Sequence, residues 1–288
     1  MTFQLTEPIL VIGLGGVGTR LAEKTKKSLN SDCLMISHDQ NDLTAENSIK
    51  ISTKSVVNPS THLIRGSTLE TSDEIKKNIT NYSTVILMSN LAGKAGTGIG
   101  PIVSKICKQE QKNLLSFAVM PFKFEKERIF ESGIALKRIR EDSQCTIVVD
   151  NDALLDSNPD LTQKQCYDIS NNAIESVMYS LKSSEISEDT NILSTCKTAD
   201  DIQVSLKDSL RMLYEDAPPN SIKRSMLYVY GGSNIPVGVL NSISNITDGM
   251  FDENSTYVEM SSEESKVVML SSVPVSYTHL TLPTNREV

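Results

Sequence analysis

Two glycine-rich stretches stand where a polypeptide backbone could hold phosphate. The first, Gly13-Leu14-Gly15-Gly16-Val17-Gly18, follows the apolar run Ile9–Gly13 and opens a helical segment, Val17–Leu29. It matches G-x-G-x-x-G, a turn whose missing side chains let backbone N–H groups and a helix N-terminus approach an anion. Asp39 lies about twenty residues further on, where a dinucleotide-binding domain places the acid that holds a ribose. Taken alone, this reads as an NAD(P) site or as a tight strand-to-helix turn without a ligand. The second stretch runs from Asn90 to Pro101, Asn-Leu-Ala-Gly-Lys-Ala-Gly-Thr-Gly-Ile-Gly-Pro. A dinucleotide fold has no need of another glycine loop there. Two such loops at neighbouring strand ends can cradle a di- or triphosphate from two sides, with Lys94 adding charge and Thr97 a hydroxyl. The second stretch is not a Walker loop, because Ala95 follows Gly93-Lys94 and Met88 stands at the upstream glycine position.

The elements that must position these loops alternate along the chain. Strand-like runs at Ile9–Gly13, Cys33–Ser37, Thr84–Ser89, Leu114–Met120 and Cys145–Val149 are apolar without alternation. That pattern suits a parallel sheet covered on both faces. Helices are expected at Val17–Leu29, near Glu70–Asn81, at Pro101–Gln111 and at Arg128–Glu141, giving a doubly wound, mostly parallel α/β domain. Leu161–Ser184 reads as one long amphipathic helix, with Cys166, Ile169, Ala173, Ile174, Val177 and Leu181 on its apolar face. Beyond it a polar loop is expected at Thr190–Thr198 and a helix at Asp201–Tyr214. Met226–Tyr230, Val237–Ile246, Thr256–Met260 and Lys266–Ser272 then read strand, helix, strand, strand. The organisation expected is a nucleotide domain over 1–160, a central helix over 161–185 and a small α+β domain over 186–274. From about Val275 the chain resembles a translated sequencing adaptor, so 275–288 is read as a non-native tail in place of the natural C-terminus.

Composition narrows the function classes. Of 288 residues, 39% are hydrophobic and 22% charged, and the formal net charge is −8. An acidic balance gives no general attraction to nucleic acid or anionic membrane. Five widely spaced cysteines, with no metal-binding spacing, suit free thiols in a reducing cytoplasm. No run approaches the length of a membrane span, so direct membrane insertion is not expected.

Several ordered motifs are similar to those of the tubulin/FtsZ superfamily. Gly93–Pro101 resembles its signature loop, G-G-G-T-G-[TS]-G-x-x-P, and Gly13–Arg20 resembles its opening phosphate loop. Pro121-Phe122-Lys123-Phe124-Glu125 with Arg128 resembles the P-F-x-F-E-G…R element that lines the ribose. Asn151-Asp152-Ala153-Leu154-Leu155 matches N-D-x-L-L. Tyr167 and Asn171 fall where the family's central helix offers a ring and an amide to guanine. They are also i, i+4 neighbours, so both could address one planar ligand. The resemblance covers about residues 8–180. It implies GTP or GDP as ligand, with Mg2+ accompanying the nucleotide. The contacts it implies are Gly15, Gly16, Val17, Arg20, Gly66, Gly93, Lys94, Ala95, Gly96, Thr97, Gly98, Glu125, Arg128, Tyr167 and Asn171, and no metal-ligand set of the chain's own.

Departures from the pattern bear on activity. Lys94 and Ala95 replace a glycine and a threonine, and Lys94 would be costly at positive φ. Arg20 replaces an asparagine near the base. The stretch from Val56 to Thr71, expected to wrap the γ-phosphate, keeps only Arg65-Gly66-Ser67 of its glycine-rich character. The family's N-x-D-x-x-D loop, which one subunit inserts into the next, is best placed at Cys196-Lys197-Thr198-Ala199-Asp200-Asp201. Only its last acid survives, and Asp201 reads equally well as the first acid of the following helix. Phosphoryl transfer relies on positioning and charge stabilisation, so GTPase activity is expected to be weak or absent.

Three readings follow. In the first, a cytoplasmic, divergent FtsZ-like protein binds guanine nucleotide and assembles head to tail with itself or a related FtsZ-like subunit, for cell division or cytoskeletal organisation. In the second, an NAD(P)-dependent oxidoreductase uses Gly13–Gly18 and Asp39, although His38, His62 and His279 form no catalytic set. In the third, a scaffold paralogue keeps the fold and binds nothing.

Overall fold

Strands that do not alternate need cover on both faces, and the chain supplies it with intervening helices. The computed structural model describes residues 2–54, 57–182, 184–188, 190–197, 201–222, 224–251, 253–260 and 265–273. In chain order the elements are β1 (Thr2–Phe3), β2 (Ile9–Leu14), α1 (Gly15–Leu29), β3 (Asp32–Ser37), β4 (Ser48–Lys50), α2 (Thr61–Glu70), α3 (Ser72–Ile79), β5 (Thr84–Asn90), α4 (Lys94–Gln109), β6 (Asn113–Val119) and α5 (Lys126–Asp142). There follow β7 (Cys145–Val149), α6 (Asn151–Ser157), α7 (Gln163–Leu181), β8 (Ile186–Ser187), β9 (Thr190–Thr195), α8 (Ile202–Asp216), β10 (Arg224–Tyr230), α9 (Val237–Asp248), β11 (Glu253–Val258) and β12 (Lys266–Val273). The described residues form two units, one within 2–146 with 181–188, the other within 147–180 with 190–273.

The first unit carries a parallel sheet in the order β6-β5-β2-β3-β4. Consecutive parallel strands require crossovers, and the helices provide them. Leu10, Ile12, Leu34, Val85 and Leu87 from the strands pack with Ile64, Ile75, Ile99 and Val103 from the helices, all of them fully buried. β1 pairs antiparallel with β8 in a separate ribbon.

The second unit holds the strand order β11-β10-β12-β9, with β10, β12 and β9 antiparallel and β11 parallel to β10. Helix α8 covers it through Ile202, Leu206, Leu210 and Leu213, which join Leu227, Val229 and Met269 in one core. The mixed, mostly parallel α/β architecture agrees with the expectation from the sequence.

Four local expectations need correction. The polar loop expected at Thr190–Thr198 is a buried strand over Thr190–Thr195, pairing Leu193 with Leu270 and Ser194 with Met269. Its small hydroxyl residues look loop-like locally, but Thr and Ile fit a pleated surface once β12 lies beside them. The polar stretch expected before Glu70 is helical from Thr61, started by Ser60, whose hydroxyl accepts from the Leu63 amide. The chain then breaks at Thr71, so the helix expected near Glu70–Asn81 is the shorter α3. Finally α4 begins at Lys94, seven residues before Pro101, so most of the second glycine stretch is helix and not loop. The expected tail, 275–288, lies outside the described residues.

Candidate functional site

The two glycine turns meet at one edge of the first unit's sheet. β2 and β5 are hydrogen-bonded neighbours with Leu14 opposite Ser89, so the chain leaves both strands at the same level. It enters α1 directly and α4 after three residues. Gly15 holds φ +63°, and a Cβ added to it would lie 2.7 Å from the Ala95 Cβ. The first turn therefore presses on the second, and Gly15 must remain glycine for conformation and for space. Gly13 and Gly18 serve the packing of α1 instead. A side chain on Gly18 would strike the Met88 carbonyl, and one on Gly13 would lie 2.5 Å from the Gly18 carbonyl oxygen. These two glycines bring α1 onto the sheet.

Both helices that leave these turns start without a side-chain cap and without an acid in the first turn. Their leading N–H groups have no intrahelical partners, and the helix dipoles add positive potential. A pair of such N-termini in touching turns is suited to a phosphate chain. The fit rests on backbone, because several side chains expected at the ligand are committed to other groups.

Lys94 is the first residue of α4 and is not among the described residues at positive φ, so the expected backbone cost does not arise. Its ammonium donates to Asn58 Oδ1 at 2.7 Å and to the Pro59 carbonyl at 3.0 Å. Thr97, expected to offer a hydroxyl to phosphate, is buried and donates to the Gly93 carbonyl at 3.1 Å. Its own carbonyl would normally accept from residue 101, but Pro101 has no N–H. Arg65 Nη2 takes that place at 3.2 Å. Gly66 lies within α2, with open space around a would-be side chain. Ala95 is buried against Gly15, while Gly96 and Gly98 admit the Asn90 carbonyl and Ile64.

The Pro121-to-Arg128 element holds the second turn in place. Arg128 Nη1 donates to the Ala92 carbonyl, and Ser132 Oγ donates to the Leu91 carbonyl at 2.7 Å. Glu125 Oε2 accepts the Phe122 amide at 3.1 Å, and its Oε1 is 3.4 Å from Arg128 Nη1. Asn90, absent from the sequence-derived set, closes the turn: its Oδ1 accepts from the Ala92 amide at 3.0 Å. An asparagine ending a strand just before a glycine run is the signal that could have shown it.

Beside the first turn, Asp39 caps the 40–42 turn by accepting the Asn41 amide at 3.0 Å. Asp42, also missed from sequence, accepts Ser37 Oγ at 2.6 Å and lies against Gly16. Burial pulls the His38 imidazole below its ordinary pKa, against the nearby Asp42 and Asp39 charges, and its Nδ1 is buried without a partner.

In the second unit, Tyr167 and Asn171 lie one turn apart on α7, both half-buried. Asn171 Oδ1 is buried with no hydrogen-bond partner. Asn151 is fully buried and accepts Ser170 Oγ at 2.6 Å, joining the N-D-x-L-L segment to α7. Asp201 is exposed and caps α8 by accepting the Gln203 amide at 2.8 Å. Cys196, the first position of the placed N-x-D-x-x-D loop, is buried on Ser205, and residues 198–200 lie outside the described residues. Among the described residues, no group of three or more His, Cys, Asp or Glu could hold a metal ion, and no helix is long and apolar enough to cross a membrane.

Comparison with known proteins gives this arrangement a lineage. Residues 8–159 match the family model described as "Tubulin/FtsZ family, GTPase domain". The cell division protein FtsZ of Aquifex aeolicus is 33% identical over 101 residues, 34% of this chain and 28% of that protein. Cell division protein FtsZ 1 of Halobacterium salinarum is 27% identical over 184 residues, 59% of this chain and 46% of that protein. The aligned part thus spans less than half the length of either relative. Among solved structures, an FtsZ W319Y mutant from M. jannaschii superposes with a TM-score of 0.76 at 17% identity, covering 95% of this chain and 93% of that one. That likeness speaks for the fold, the family model covers more than half of the sequence, and both point the same way as the geometry of the two turns: this chain belongs to the tubulin/FtsZ family.

Proposed function

We propose that this protein is a cytoplasmic guanine-nucleotide-binding member of its family that associates with itself, or with a related FtsZ-like subunit, head to tail. The observation that carries the reading is the contact between two glycine turns, each leading an uncapped helix, within the stretch that matches the GTPase-domain model. In this reading the backbone of Gly15, Gly16 and Val17 and of Gly93, Lys94, Ala95, Gly96, Thr97 and Gly98 cradles the phosphates. Arg20 and Gly66 flank them, and Mg2+ accompanies the nucleotide. Glu125 and Arg128 face the ribose side of the second turn, while Tyr167 and Asn171 receive the base. The unpaired Asn171 Oδ1 supports that last assignment, since guanine has donors to offer it. The domain order is a nucleotide domain over 1–160, a helix over 161–185 and a reduced domain over 186–274.

Hydrolysis is weak or absent in this proposal. Asp201 is the surviving acid of the inserted loop and already caps α8. The role is cell division or cytoskeletal organisation, as the names of the FtsZ relatives suggest.

The test is to identify the nucleotide released from freshly purified, denatured protein, and to titrate the protein with GTP, GDP and NAD by calorimetry. Guanine nucleotide in the released fraction and a preference for GDP over NAD are expected. Heat with NAD and no guanine preference would overturn the proposal, and no heat with any of the three would favour a non-binding scaffold. Phosphate release at assembling concentrations should be slow and should fall further in Asp201→Ala; equal rates would remove Asp201 from catalysis.

A further inference from the structure

A carboxylate of the protein's own lies beside the first turn. Asp42 Oδ1 lies 2.7 Å from the point a Cβ on Gly16 would occupy, and its Oδ2 lies 3.9 Å from the corresponding point on Gly15. Only the missing side chain of Gly16 admits the carboxylate to this place. Ser37 Oγ, donating at 2.6 Å from the end of β3, holds it there. Arg20 Nη1 lies 3.8 Å from the same Gly16 point. The first turn of α1 carries no acid in its own sequence and no side-chain cap, so the negative charge beside this positive end of the helix dipole comes from a separate segment.

We infer that Asp42 is a built-in competitor for the first phosphate cradle, which holds nucleotide affinity below what the backbone cradle alone would give. The inference rests on the guanine-nucleotide reading. A phosphate oxygen accepting from Gly16 or Val17 would lie beside a full negative charge in a partly desolvated turn, where repulsion between anions is substantial. Arg20, one helical turn along at the same point, offers a counter-charge to whichever anion is present. Ser37 sets how firmly the competitor is held. The same carboxylate that disfavours nucleotide stabilises the empty turn, so affinity and stability without nucleotide should change in opposite directions.

The experiment compares wild type, Asp42→Asn and Asp42→Ser, full length, by calorimetry with GDP and GTP at low and high salt, and by thermal melting without nucleotide. Asparagine keeps the acceptor for Ser37 and removes the charge; serine is a second, smaller replacement on this surface turn. Tightening of roughly tenfold or more at low salt, shrinking at high salt, with a lower melting temperature in the absence of nucleotide, is the expected result. Affinities equal to or weaker than wild type would overturn the competitor role while leaving the nucleotide reading intact. Absence of binding in all three proteins would overturn the nucleotide reading and this inference together.

Discussion

The two glycine turns do one job by different means. The turn at Gly13–Gly18 is held by close approach of backbone: Gly18 against the Met88 carbonyl, Gly13 against the Gly18 carbonyl, Gly15 in the left-handed region against Ala95. The turn at Asn90–Gly98 is held by side chains that reach its carbonyl groups: Arg128 on Ala92, Ser132 on Leu91, Thr97 on Gly93. The first is specified by absence of atoms and tolerates no addition. The second shares that intolerance against backbone only at Gly96, which admits the Asn90 carbonyl, and is otherwise specified by hydrogen bonds that weaken one contact at a time. The contrast explains why Lys94 and Ala95 can stand in the second turn, where a helix N-terminus accepts ordinary residues, while nothing comparable could replace Gly15.

Substitutions can break that contrast. The largest effect is expected from Gly18→Ala, whose methyl would meet strand backbone that cannot move aside. A loss of about 2 to 3 kcal/mol in urea unfolding is expected; a loss under about 0.5 kcal/mol would mean that α1 is not held by backbone proximity. Ser132→Ala should cost about 1 to 2 kcal/mol by leaving the Leu91 carbonyl without its buried donor. It should also weaken GDP binding, and an unchanged affinity would separate the second turn from the ligand. Gly66→Ala should act in the opposite sense, because the residue sits exposed in α2 with free space. A gain of about 0.5 to 1 kcal/mol is expected, and an unchanged GDP affinity would remove Gly66 from the residues flanking the phosphates.

The smallest effect concerns pH. Burial lowers the folded-state pKa of His38, which also feels the charges of Asp42, Asp39, Lys94 and Lys50. The unfolded chain therefore takes up the proton first. The stability that His38 contributes is complete above its ordinary pKa of about 6.5 and is lost as pH falls through the lower folded-state value. His38→Gln should flatten the acid limb of a stability–pH curve; an identical limb in the variant would assign the loss to other groups.

Much of the frame was legible in residue order. Apolar runs alternating with helical segments pointed to the doubly wound sheet, and glycine spacing located both turns, because these signals are local: they depend on backbone freedom and on periodicity within a few residues. The lineage followed from several motifs in sequence order. Other features depend on partners far along the chain. Thr190–Thr195 became a strand because β12 pairs with it, and Thr61–Glu70 became a helix because Ile64 has a core to enter. The side chains at the site show the same division. Sequence singles out Thr97 and Lys94 within a glycine stretch and Arg128 by resemblance to a ribose-lining element, but only the folded chain directs them to Gly93, Asn58 and Ala92, and only β3 and its following turn bring Asp42 onto Gly16. Turn chemistry is written in short stretches of residues, whereas the occupant of a hydrogen bond is decided by whichever group tertiary packing brings within reach.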